Sequence, residues 1–321
     1  MTSRRALLGA AAALPALAAR AQAPWPNGPV RIIAPFPPGG SVDTIARLLQ
    51  PFLQQRLGQP IVVENRTGAA GAIGAQAAAR AAPDGNTWVV VFDSYATHAA
   101  LIPNLGFDPK RDLQPVMLVG TSPMVVCTPN ARPWRSVAEV VATAKAKPDT
   151  LTYGTIGNGS LGHLTMELAQ QAAGFRVAHV PYRGGGPLSA AAAAGEVDLV
   201  IATRAGLAGQ VGVSLRALAQ TGAERSPSLP ELPTLAEAGI PGVAATAFWG
   251  VLAPAGVPAP VVAKMHAALV AALAEPVVKQ RLAEGQGVDI QASSPEAFGR
   301  FLTAQMDQWG RVVKERDIRA D

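Results

Sequence analysis

Short apolar runs without polar alternation recur along this chain, and each leads into a segment with helical spacing. Val30–Ala34 is the first, followed by runs at 61–64 and Thr87–Phe92. Strands that are apolar on both faces belong inside a parallel sheet covered by helices. Between them Val42, Ile45, Leu49, Phe52 and Leu53 repeat at helical spacing, with Pro51 as a local irregularity. An alanine-rich helix over 69–81 closes at the turn Pro83-Asp84-Gly85. The pattern restarts after about residue 124. Ser136 and Glu139 form a capping box for a helix ending at Lys147. Further strands are expected at 151–155, 176–182, 197–203, Leu215–Gln220 and 246–253, with a helix at Leu161–Ala173. A proline-rich passage fills 227–241, and three helices near 258–273, 276–284 and 295–315 end the chain. The last carries one apolar stripe of Phe298, Phe301, Leu302, Trp309, Val312 and Val313. The fold class is therefore α/β, with two blocks and more than one crossing between them, which suggests a cleft.

Composition narrows the function. At 49% hydrophobic and 15% charged, the chain is too apolar to be disordered. No apolar run reaches the roughly 20 residues of a membrane span. One cysteine, Cys127, makes neither an intramolecular disulfide nor a zinc-thiolate cluster. The formal charge is +5, but Arg4, Arg5 and Arg20 lie in an N-terminal segment with the layout of a signal peptide. It has a charged start, an apolar 6–19 stretch and small residues; Ala19-Arg20-Ala21 and Ala21-Gln22-Ala23 both fit the cleavage pattern, and Pro24 disfavours the second, so cleavage is expected after Ala21. Ser3-Arg4-Arg5-Ala6-Leu7-Leu8 resembles a twin-arginine export motif, and general secretory export is the alternative. The mature chain is left nearly neutral, without basic runs, so nucleic acid is not an expected partner. It is expected to work in the periplasm, away from nucleotide cofactors.

Two segments share one design. Pro35-Phe36-Pro37-Pro38-Gly39-Gly40-Ser41-Val42-Asp43 joins the first strand to its helix. Tyr153-Gly154-Thr155-Ile156-Gly157-Asn158-Gly159-Ser160-Leu161-Gly162-His163 does the same in the second block. Glycines let a ligand approach the backbone, and a helix N-terminus adds unpaired N–H groups and positive potential. Each segment reads either as an anion site or as an ordinary glycine-rich turn. Two such sites across a cleft would hold a carboxylate. A helix terminus contributes roughly 0.3–2 kcal/mol and each bond to a charged group roughly 1.5–3 kcal/mol. On the order of four to six contacts, less immobilisation costs, reach the roughly −8 kcal/mol of micromolar binding.

Other chemistries fit less well. Gly157 to Gly162 spells G-x-G-x-x-G, but the next strand ends without an acidic residue for a ribose, and Arg183 is thin support for a 2′-phosphate. Asn158-Gly159-Ser160-Leu161-Gly162 misses the first glycine of a G-x-S-x-G elbow, which leaves an exported hydrolase using Ser160 as a remote alternative. Ser160 and His163, at i and i+3, are expected to share a local hydrogen bond. His98, His163, His179 and His266 lack metal-ligand spacing. His179, His266 and Cys127 read as structural. No catalytic residue, metal or cofactor is expected.

Further pieces extend the pattern. They are Leu57-Gly58-Gln59-Pro60-Ile61-Val62-Val63-Glu64-Asn65-Arg66, Ala81-Ala82-Pro83-Asp84-Gly85, His179-Val180-Pro181-Tyr182-Arg183-Gly184, Leu215-Arg216-Ala217-Leu218-Ala219, Leu232-Pro233-Thr234-Leu235-Ala236-Glu237-Ala238-Gly239 and Ala253-Pro254-Ala255-Gly256. With the two glycine loops, in this order, they make the chain resemble, nearly end to end, the Bug-type solute-binding proteins of tripartite tricarboxylate transporters. The resemblance implies a two-domain, type II-like periplasmic-binding-protein fold with the ligand cleft between domains. The expected division is a signal peptide at 1–21, one domain of 22–124 plus 246–321, and a second of 125–245. The resemblance also implies that the two loops grip one carboxylate, partly through water. Carried over, this points to Pro38, Gly39, Gly40, Ser41 and Asp43, and to Thr155, Gly157, Asn158, Gly159 and His163, with Asp43 ordering its loop rather than touching an anion. Expected ligands are di- and tricarboxylates, amino acids and aromatic acids.

Two places depart from the family pattern. The stretch from Thr97 to Pro109 is a few residues short and lacks a common Asn-Pro pair. After Ile201, where an acidic or small polar residue is common, the chain reads Ala202-Thr203-Arg204. Ser94 and Tyr95 follow the third strand beside Asp93, at an expected cleft edge. Tyr95 and Arg204 are therefore expected to face the distal end of the ligand, with Arg204 on a second carboxylate. The alternative is that Arg204 is solvated or pairs with Asp93. The expected protein is a monomer that delivers its carboxylate to the membrane subunits of a transporter. A sensor component of a signalling system would use the same fold and ligand.

Overall fold

The computed structural model describes residues 25–315 together with 318 and 319. The expected export segment lies outside them. In chain order the first elements are β1 (Val30–Ala34), α1 (Ser41–Leu57), β2 (Ile61–Asn65), α2 (Ala72–Ala79), β3 (Thr87–Phe92), α3 (His98–Leu101) and β4 (Leu113–Pro129). There follow α4 (Val137–Ala146), β5 (Thr152–Thr155), α5 (Leu161–Ala173), β6 (Ala178–Pro181), α6 (Gly185–Ala194), β7 (Leu199–Thr203) and β8 (Leu215–Gln220). The chain returns through β9 (Thr246–Pro254), α7 (Ala259–Leu273), α8 (Pro276–Gln280), β10 (Asp289–Ile290) and α9 (Pro295–Glu315).

The strand order is β2-β1-β3-β9-β4-β7-β5-β6, with β8 and β10 also on β4. β1 is parallel to both β2 and β3, and β5 is parallel to both β6 and β7. Between these two parallel triplets run β9 and β4, antiparallel to each other and to their neighbours. The sheet is therefore mixed, not parallel throughout as the apolar runs suggest. β4 and β9 are buried along nearly their whole length, because helices cover this part of the sheet too. An antiparallel strand so covered has the same unbroken apolar sequence as a parallel one.

The expected helix over 69–81 is shorter than its alanine content suggests. Ala69 and Ala70 take positive φ values of 47° and 52°, so a tight turn at Ala69–Gly71 precedes α2. The capping box is present: Ser136 Oγ accepts from Glu139 N–H, and the Glu139 carboxylate accepts from Arg135 N–H rather than from the cap residue. The apolar stripe of α9 is buried at Phe298, Leu302, Trp309, Val312 and Val313, and packs on β4 and on the turn Asp93–Thr97. Gly250 on β9 makes room for it. A β-carbon there would lie 2.1 Å from Phe298 Cζ.

Gly250→Ala is expected to destabilise the fold by about 1–3 kcal/mol through overpacking. Adding Phe298→Leu should recover part of that loss. Urea unfolding of the two variants checks both outcomes.

Candidate functional site

Both glycine-rich segments leave a central parallel strand and open a helix. Gly40 is the N-cap of α1, with extended backbone and no side-chain cap. Asp43, one turn in, reaches back instead. Its Oδ2 accepts from Gly39 N–H at 2.9 Å, and its Oδ1 accepts from Asn65 Nδ2 at 2.8 Å and Arg47 Nε at 2.9 Å. Asn65 also donates to Phe36 C=O at 3.0 Å, while Arg47 donates to Asn65 Oδ1 at 3.0 Å. Burial alone would raise the Asp43 carboxyl. The bonds from Arg47, Gly39 and Asn65 outweigh it and hold the group below the ordinary carboxylate range. Asp43 thus braces the loop, with its charge matched by Arg47.

The glycine amides of this loop are mostly used within it, since Gly40 N–H donates to Pro37 C=O at 3.2 Å. The N–H groups of Ser41 and Val42, in the first turn of α1, meet no acceptor among the described residues. Ser41 Oγ accepts from Trp249 Nε1 at 3.1 Å, which leaves the serine proton for another acceptor. Pro38 and Gly39 are exposed.

The second loop has different braces. Thr155 Oγ1 accepts from Gly157 N–H at 3.2 Å, donates to Gly157 C=O at 3.0 Å and lies 2.7 Å from His179 Nε2. Gly159, at φ +66°, donates its N–H to His163 Nδ1 at 3.0 Å. A neutral His163 ring accepting there carries its proton on Nε2. Ser160 caps α5, its Oγ accepting from His163 N–H at 3.4 Å, so the local Ser160–His163 bond runs through the backbone rather than the ring. The His163 and His179 rings stack at 4.0 Å, and His179 stacks on Tyr153 at 4.8 Å. Burial, and then the neighbouring His163, pull His179 down to about 4, so it is neutral at pH 7. Asn158 is half-buried in this loop. The first-turn N–H groups of Leu161 and Gly162 meet no acceptor among the described residues. Two braced loops, each offering helix first-turn amides, can hold an anion without further chemistry.

The chain matches the model of the tripartite tricarboxylate transporter family receptor, TctC, over residues 45–318. It belongs to this family. Three solved structures agree. The periplasmic binding protein BugD shares 31% identity and a TM-score of 0.83, over 92% of this chain and 100% of that one. R. palustris Rpa4515 with adipate shares 32% identity at TM-score 0.85, over 92% and 99%. MatC from Rhodopseudomonas palustris with bound malate shares 31% identity at TM-score 0.81, over 90% and 100%. The Bug-type resemblance and the periplasmic-binding-protein fold expected from sequence are thus both found. The family and its fold are those of binding proteins.

Within this TctC chain the distal residues depart from expectation. Tyr95 points into the core rather than standing at an open edge. It is 1% exposed, its hydroxyl donates to Pro109 C=O at 2.9 Å, and its ring meets His98 and Phe107. The chain coils into the tight turn Asp93–Thr97 directly after β3, which carries Tyr95 into the core instead of along the strand axis. Ser94 is also buried, and its Oγ donates to Ala70 C=O at 2.8 Å, an acceptor shared with His98 Nε2. Arg204, half-buried after β7, donates to Ser228 C=O at 3.4 Å, and its stem runs beside Gly287. It makes no ion pair with Asp93, which is 4% exposed with Oδ1 unpartnered. Sequence reading missed Trp249, Arg47, Asn65 and the bracing role of His179. Asn65 and His179 stand inside family motifs, which was the available signal.

Asp43→Ala should cost about 2 kcal/mol by removing a buried, charge-assisted brace, and should abolish anion binding. Asp43→Asn, which keeps the size but not the charge, should lose less stability; thermal melts of both variants test the order. Asp93 gives a pH dependence. Burial, opposed only by the Ser94 N–H, pushes its carboxyl from 3.8 up to about 8. The folded protein therefore keeps a proton that the unfolded chain releases from about pH 4. The Asp93 contribution to stability is greatest in acid and falls as pH rises toward 8. Asp93→Asn should flatten that fall, seen as a smaller loss of melting temperature between pH 5 and 8.

Proposed function

We propose that this chain is an extracytoplasmic solute-binding protein that captures a small carboxylate for a tripartite tricarboxylate transporter. The observation that carries the reading is the pair of braced loops whose helices, α1 and α5, present N–H groups of Ser41, Val42, Leu161 and Gly162 with no acceptor among the described residues. The Ser41 hydroxyl adds a donor. Pro38, Gly39, Gly40, Gly157, Asn158 and Gly159 shape the approach of the anion, while Asp43, Thr155 and His163 hold the loops. Arg204 is the candidate for a second carboxylate, because among the described residues its guanidinium forms one long hydrogen bond, to Ser228 C=O. The adipate and malate found in Rpa4515 and MatC support a dicarboxylate in this class.

The proposed division places 22–124 with 246–321 in one half and 125–245 in the other. β4 runs through the boundary between them, and the chain returns to the first half just before β9. The proposed mature form begins after Ala21, works in the periplasm as a monomer, and hands its ligand to the membrane subunits of the transporter.

A thermal-shift panel on residues 22–321 tests this. Succinate, malate, citrate, glutamate, adipate, nicotinate, benzoate and terephthalate form the panel. A ligand at a hundred times its dissociation constant should add about 2.7 kcal/mol of stability. No shift with any acid, together with no retained acid in native mass spectrometry, would sink the reading. Arg204→Ala should weaken dicarboxylates at least about tenfold while sparing monocarboxylates, as expected for loss of a charged hydrogen bond.

A further inference from the structure

Leu101 ends α3, and its side chain reaches the loop that opens α5. A β-carbon on Gly159 would lie 2.2 Å from Leu101 Cδ1 and 3.3 Å from its Cγ and Cδ2. The leucine methyls therefore rest on the bare α-carbon of Gly159. Both residues are buried, Leu101 to 8% exposure. They belong to opposite parallel triplets of the sheet, so this contact spans the proposed cleft. α9 packs on both α3 and α5.

Both partners are held in place. On one side His98 Nε2 lies 3.0 Å from Ala70 C=O, and Ile102 N–H closes α3 onto His98 C=O at 2.9 Å. On the other, His163 Nδ1 holds the Gly159 amide, and His163 is itself stacked on His179. Two stiff supports thus meet through one apolar seat, immediately before the first-turn amides of α5. Water excluded from that place strengthens any hydrogen bond made by those amides.

We propose that Leu101 is the positioning residue that latches the cleft: its seat on Gly159 forms when the two halves close, and it sets how long a bound carboxylate stays. This rests on the reading of the chain as a carboxylate receptor. A latch made after the ligand has arrived acts on escape, so its loss belongs in the dissociation rate rather than the association rate.

The test uses residues 22–321 with radiolabelled adipate and malate. Leu101→Ala should speed dissociation of whichever acid binds by roughly tenfold, with association changed by less than about threefold, in keeping with one lost apolar contact. Leu101→Met, which refills the volume, should restore slow release. Gly159→Ala should weaken binding in the wild-type background and cost clearly less in Leu101→Ala, because the added methyl then meets a cavity. Unchanged dissociation in Leu101→Ala, or strictly additive effects of the two substitutions, would overturn the proposal. If neither acid binds the wild type, the receptor reading is what suffers, and solution scattering of the free protein judges the latch. A larger radius of gyration for Leu101→Ala than for wild type supports it, and identical scattering curves overturn it.

Discussion

One strand holds the two parallel triplets of this sheet in register. β4 gives Leu113–Pro123 to β9 and then, from Met124 onward, pairs with β7 and β8. Val125 has partners on both sides, in β7 and β8, and Thr121 likewise in β9 and β10. Each edge of the strand is thus passed from one neighbour to another within a few residues. Buried backbone groups must all find partners, so the handover can occur only where one strand ends as the next begins. Pro123 stands at that point, where a residue without an N–H leaves no donor stranded. The register of both parallel triplets, and so the placement of both glycine loops, follows from this shared ladder.

The loops solve one problem twice with different chemistry. A glycine-rich turn is adaptable, and an adaptable turn makes a poor binding site unless something else fixes it. The first loop is fixed by a carboxylate at a helix start, matched by a guanidinium and an amide. The second is fixed by a hydroxyl and two stacked imidazoles. In both, the braces take up the glycine amides and leave the helix first-turn amides without an acceptor among the described residues. In the proposed receptor those donors would recognise any carboxylate, and discrimination among acids would fall to the side chains around them.

Local features were the legible ones. The first strand, its glycine loop and α1 stand out because apolar spacing and turn residues lie within a few positions of each other. The loop-ordering role of Asp43 came instead from the family resemblance and from the mismatch of a carboxylate with an anionic ligand, and its partner Gly39 stands four residues away. What sequence could not supply was long-range pairing. Trp249 meets Ser41 from the far end of the chain, and β4 and β9 look like parallel strands because helices cover them. Tyr95 was misplaced because a tight turn after β3 changes the direction of a side chain by one residue's rotation. Arg204 was correctly located at a strand end, while its neighbours Ser228 and Gly287 come from segments no local pattern connects to it.

The Trp249 indole has a consequence of another kind. It is buried, lies on β9, and donates to a hydroxyl that stands at the start of α1. When that hydroxyl gives its proton to an incoming acceptor, its oxygen becomes a stronger acceptor for the indole. In the proposed receptor the indole's electronic environment then changes without contact from the ligand, so the site would carry its own chromophore, coupled to the ligand through the Ser41 hydroxyl oxygen.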